Sequence, residues 1–124
     1  MAIDKFKTSG RRPLTYPLQV KGSVVSETLT GDLQLTARSA QYLALDPGGA
    51  SRNVTLPGAD EDVSDNDGML YTVVNTANAA EDLVVREPVG GFPVATVSQN
   101  ERATFAGTGG ATWVHLGIVT ISLS

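Results

Sequence analysis

The sequence predicts an all-β fold, an antiparallel β-sandwich of jelly-roll type with an extended N-terminal arm. Three observations carry this. From Leu18 onward, short apolar-alternating runs recur with Gly, Asn, Asp or Pro between them. Thirteen glycines punctuate 124 residues, more than the usual share. No stretch sustains a long helical period, and no fixed repeat of 20 to 50 residues is visible, so a solenoid or propeller is not expected.

Residues 1–17, "MAIDKFKTSGRRPLTYP", show neither a helical nor a strand period and are broken by Pro13 and Pro17. They read as an extended arm that orders only against a partner, or as a disordered tail. Residues 18–124 form the body. "LQVKGSVV" alternates, with Leu18, Val20, Gly22 and Val24 on one face. In "TLTGDLQLT", Leu29, Leu33 and Leu35 flank a turn or bulge at Gly31-Asp32. "AQYLALD" sets Tyr42 and Ala44 against Leu43 and Leu45, and "RNVTLP" sets Val54 and Leu56 against Asn53 and Thr55. "GMLYTVVN" is the most β-prone run; "DLVVRE", "PVATVSQ", "RATFAG", "TWVHLG" and "IVTISLS" complete about ten short strands. Helix competes only in "ANAAEDLVVRE", where a single turn is expected, since Pro88 and Gly90-Gly91 follow. Asp46-Pro47-Gly48-Gly49 reads as chain reversal: Pro47 presets φ, glycine supplies positive φ, and Asp46 accepts from the backbone just downstream. A phosphate loop would need a lysine and a following helix, and neither is there.

Net charge is −4, unevenly spread. Residues 1–26 hold five basic residues and one acid, a net of +4; the remainder holds four arginines and twelve acids, a net of −8. A basic arm on an acidic body disfavours nucleic-acid binding by the body. No apolar run is long enough to cross a membrane as a helix, and the N-terminus lacks the apolar core of a secretory signal. Cysteine is absent, which removes disulfides and thiolate chemistry.

The acidic run Asp60, Glu61, Asp62, Asp65 and Asp67 has the oxygens calcium takes, but the EF-hand spacing fails, with Val63 and Val74 where Asp and Glu are required. It reads as a solvated loop closed by an Asp67-Gly68 turn, or as a face for a basic partner. His115 is the only histidine and falls on the face of Trp113 by alternation; a surface or interface role is expected of it. Trp113 reads as packing, with sugar stacking as the alternative. Asn53-Val54-Thr55 matches a glycosylation acceptor and is read as accidental. No catalytic, metal or cofactor residue is assigned, and no enzymatic activity is expected.

The order "ALDPGGASRNVTLP", "GMLYTVVNTANAAEDLVVRE", "GGFPVATVSQNERATFAGTGGATWVHLG" resembles a β-sandwich module of tailed-bacteriophage virion proteins, over about residues 38–117. Its marks are a D-P-G-G turn leading to an R-x-V-x-L-P strand, a G-x-x-Y-x-V-x-N strand, an A-T-V strand pair and a closing G-G-x-x-W strand. The resemblance implies a homotrimeric head decoration (cement) protein or a head- or tail-fibre tip. Without heptads or a shaft, the chain is expected to be the former: a non-enzymatic protein assembled in the host cytoplasm and bound outside the major capsid protein shell. Lys5, Lys7, Arg11 and Arg12 are the expected capsid contacts. The alternative is a trimeric fibre tip that binds a host receptor or glycan, and needs an exposed aromatic patch at Trp113 or Tyr71. The apolar, β-branched "IVTISLS" is expected to pair with another chain or element rather than to stand as a free edge.

Overall fold

The computed structural model describes residues 24–58 and 66–121, and these contain strands and no helix. Nine strands follow in order: β1 Val24–Thr28, β2 Leu33–Gln34, β3 Tyr42–Asp46, β4 Arg52–Thr55, β5 Leu70–Asn75, β6 Leu83–Arg86, β7 Pro93–Val97, β8 Glu101–Gly109 and β9 Thr112–Thr120. They form a five-stranded sheet, β1-β3-β5-β8-β9, and a four-stranded sheet, β2-β4-β6-β7.

The alternation expected for each strand sets the core. Leu43 and Leu45 of β3 and Val54 of β4, with Leu56 just beyond it, are buried, as the sequence faces require. With Leu29, Leu35, Tyr71, Val73, Leu83, Val85, Val97, Phe105 and Trp113 they form one apolar cluster drawn from both sheets. Fully burying each such side chain contributes about 1.5–3 kcal/mol, so this cluster is the main favourable term. Among the described residues no buried side-chain nitrogen or oxygen lacks a hydrogen-bond partner.

The connectivity departs from the expected antiparallel jelly roll, because the sheets are mixed. Strands β1 to β6 alternate between the sheets, and the four pairings they make, β1–β3, β3–β5, β2–β4 and β4–β6, are parallel. Only β5–β8, β6–β7 and β8–β9 are antiparallel. The first half of the body is thus a short coil in which each turn lays one strand on each sheet. A coil was not expected from a sequence without a repeat, and the registers explain why. Equivalent positions on β1, β3 and β5 (Val24, Tyr42, Thr72) lie 18 and then 30 residues apart, so the turns share no period.

The turns between sheets are built by local side chains. At the bend between β3 and β4, Gly48 N–H donates to Asp46 Oδ1 at 2.9 Å, and Arg52 Nε reaches Pro47 O at 2.9 Å. Gly48 sits at φ +78°, and a Cβ there would lie 2.2 Å from Leu29 O, so only glycine fits. The D-P-G-G motif does reverse the chain, but from one sheet to the other rather than into a hairpin. No helical turn forms in residues 76–82. Buried Asn75 instead brackets that loop, donating from Nδ2 to Glu81 O and Val97 O (2.8 and 2.9 Å) and accepting Ala77 N–H at Oδ1 (2.9 Å). "TWVHLG" and the first three residues of "IVTISLS" form the single strand β9, with a bulge at Leu116, so there are nine described strands.

Candidate functional site

The expected capsid contacts Lys5, Lys7, Arg11 and Arg12 lie outside the described residues, as do Asp60, Glu61, Asp62 and Asp65. Asp67 and Gly68 form the expected turn, with Gly68 at φ +82°. Behind it, buried Asn66 clamps the end of the β8–β9 hairpin. Its Nδ2 donates to Thr112 O at 2.7 Å and its Oδ1 accepts Gly109 N–H at 2.8 Å. Its carbonyl passes so close to Gly107 that any Cβ there would overlap it. Among the described residues no group of three His, Cys, Asp or Glu side chains is placed to hold a metal ion.

Trp113 and Tyr71 are interior residues. Trp113 Nε1 donates to Pro57 O at 3.0 Å and its ring meets Tyr71, centroids 5.8 Å apart and tilted by 60°. Tyr71 Oη donates to Thr36 O at 3.0 Å, and burial pushes its phenol pKa up. The aromatic platform that a glycan-binding tip would need is therefore not formed by these two rings. His115 is exposed, two residues past Trp113 on the edge strand β9. Ser39 borders an open depression of about 540 Å³ with Arg38, Gln41, Asp67, Met69 and Tyr71. Its hydroxyl accepts Thr36 N–H at 2.9 Å, which is a turn-forming role.

Three surface features remain. The first is a polar ladder across the four-stranded sheet. Asp32 accepts from Asn53 N–H (2.8 Å) and Asn53 Nδ2 (3.2 Å), Asn53 Oδ1 accepts Arg86 Nε (2.8 Å), and Arg86 Nη1 donates to Gly91 O (2.9 Å). The Asn53 side chain of the glycosylation-like triplet is thus committed to this ladder. The Asn53 hydrogen bonds, with Arg52 and Arg86 adding to them, hold the Asp32 carboxyl below its usual 3.8. A lowered pKa stabilises the fold above the unfolded value, and the effect disappears as pH falls through the folded one. Asp32→Asn is accordingly expected to flatten the loss of thermal stability below about pH 4 relative to wild type. Parallel acid limbs in thermal melts would rule this out.

The second feature is the β6–β7 hairpin tip, which the ladder supports from below. Val89 and Phe92 project there, both 66% exposed, and the Phe92 ring lies over Gly90. The third is β9, whose Val114, Leu116, Ile118 and Val119 are exposed. A groove of about 320 Å³ lined by Arg102, Thr104, Leu116, Gly117 and Val119 runs along its outer side. Sequence reasoning marked the end of β9 as unsuited to a free edge but missed Val89 and Phe92. The signal available for those was two large apolar residues in a Pro/Gly-rich turn. No family model matches the chain, and no curated protein matches it either.

Proposed function

We propose that this protein is a non-enzymatic decoration (cement) protein of a tailed-phage head, present as a homotrimer on the outside of the capsid. The observation that carries this reading is the charge division of the chain. A leader, residues 1–17, of net +3 precedes a body, residues 18–124, of net −7, so grip and body are electrostatically separate. The order of motifs from Ala44 to Gly117, which resembles phage virion modules, supports the same reading. The sandwich-like body would stay outside, its acidic surface keeping particles apart. The leader would lie across neighbouring capsid subunits through Lys5, Lys7, Arg11 and Arg12. Binding only the assembled shell, it would stabilise the shell by mass action. The interior position of Trp113 and Tyr71 favours this over the glycan-binding fibre tip.

Removal of residues 1–17 is expected to abolish co-sedimentation with capsid shells and to leave the far-UV spectrum and melting temperature of the body unchanged. Replacing Lys5, Lys7, Arg11 and Arg12 together with Glu should do the same, and wild-type binding should weaken as salt rises. Undiminished capsid binding by the truncated chain would remove the leader from the mechanism.

A further inference from the structure

We propose that the free edge and outer face of β9 form the surface through which copies of this chain associate. Among the described residues β8 is the one strand that pairs with β9; Asn66 takes Thr112 O and Glu87 takes Trp113 N–H, and from Val114 to Thr120 the other edge has no strand partner. Native edges are usually short or guarded by lysine or proline. Residues 112–121, "TWVHLGIVTI", contain no Lys, Arg, Asp, Glu or Pro. The bulge at Leu116 places that side chain in the outer groove beside Arg102 and Thr104. The registers Leu70–Ala106–Val114 and Arg102–Val119 put Leu70, Val114 and Val119 on the same face. Leu116 is 61% exposed and the other three are between 43% and 46%.

Charge selects a second copy as the occupant. The body, residues 18–124, carries net −7, so two bodies repel each other over most approaches. The strip along β9 carries no acid and has Arg102 beside it, so it is where that repulsion is smallest and where apolar side chains of one copy meet the same side chains of another. A strongly basic partner would gain nothing from this strip and would prefer the acidic remainder. The inference rests on the multi-copy part of the proposed function, but association is read without capsids, so the two can fail separately.

The test uses the full-length chain in sedimentation equilibrium across the micromolar range. Wild type should associate. Leu116→Lys combined with Val119→Lys should weaken association at least ~30-fold, the loss of a hot spot, with an unchanged melting temperature of the dilute monomer. Because the chain has no cysteine, Leu116→Cys is a single reporter. Mild oxidation should cross-link it between copies and should not cross-link Val89→Cys at the hairpin tip. A wild type that stays monomeric, a lysine variant that associates as tightly, or equal cross-linking at position 89 would each overturn the proposal. So would a lysine variant that keeps its oligomers and loses only capsid binding, which would assign the strip to the shell.

Discussion

Trp113→Ala is expected to lower folding stability by about 3–5 kcal/mol, the range for deleting a large aromatic side chain from a core. A domain of this size has a total of about 5–15 kcal/mol, so the variant should sit near the edge of folding. The position supports the upper part of that range. Trp113 is the first core residue of β9, and β9 contributes no other member to the apolar cluster. Its indole ring contacts Tyr71, and Nε1–H is the partner of Pro57 O at the end of the strand that leads into the acidic segment. Its own backbone N–H donates to Glu87 Oε2 at 3.1 Å, which links the same point to the base of the β6–β7 hairpin. Trp113→Phe separates the two contributions. It keeps most of the ring and loses the indole donor, so a cost of about 1–3 kcal/mol is expected, set by an orphaned buried carbonyl. Urea unfolding followed by far-UV circular dichroism measures both. A loss below 1 kcal/mol for the alanine variant would mean that the start of β9 is not anchored in this way.

The local features of this fold were legible in the sequence, and its connectivity was not. Alternation placed Leu43, Leu45, Val54 and Leu56 inward because a half-buried strand exposes every second side chain, a property of a few neighbouring residues. The D-P-G-G turn was legible for the same reason: Asp46 to Gly48 is a contact over two residues. Whether β4 pairs with β3 or crosses to the facing sheet depends on the angle at which the chain leaves that turn. That angle is held by Arg52 on Pro47 O and by Glu81 Oε1 accepting Gly49 N–H at 3.2 Å, the latter a contact 32 residues away. A string of hairpins and a coil of alternating strands therefore present the same local grammar. His115 shows a related limit. Alternation put it on the face of Trp113, and its register partner Phe105 is buried, yet His115 lies on the edge strand of its sheet and is exposed. The exposed strip is legible as apolar excess. "IVTISLS" was marked as needing a partner, whereas the identity of the exposed side chains depends on the Leu116 bulge, which no local pattern announces.

Asn75 is where these two levels meet, and Asn75→Ala is expected to cost about 3–5 kcal/mol through orphaned buried backbone groups. In the sequence it is the last residue of a β-prone run, followed by a segment rich in helix formers. In the structure it is fully buried, and one amide satisfies three backbone groups from three places: Ala77 N–H, Glu81 O and Val97 O. It replaces the helical turn that residues 77–82 would otherwise favour and ties β5 of one sheet to the end of β7 in the other. Removing it takes the amide partner from two carbonyls and one N–H, of which the contacts to Val97 O and Ala77 N–H are buried and that to Glu81 O is partly buried. The three losses share one side chain and so do not add. Asn75→Asp gives the sharper result. Its carboxylate would place negative charge against two carbonyl oxygens, whereas the protonated acid could still donate to one of them. The protonated form is favoured in the fold, so the deficit relative to wild type should be smaller at acid pH and grow as pH rises through the range where an unfolded aspartate ionises. Thermal melts of both proteins at acid and neutral pH measure this. A deficit that is constant with pH would show that position 75 is not the polar bracket between the sheets.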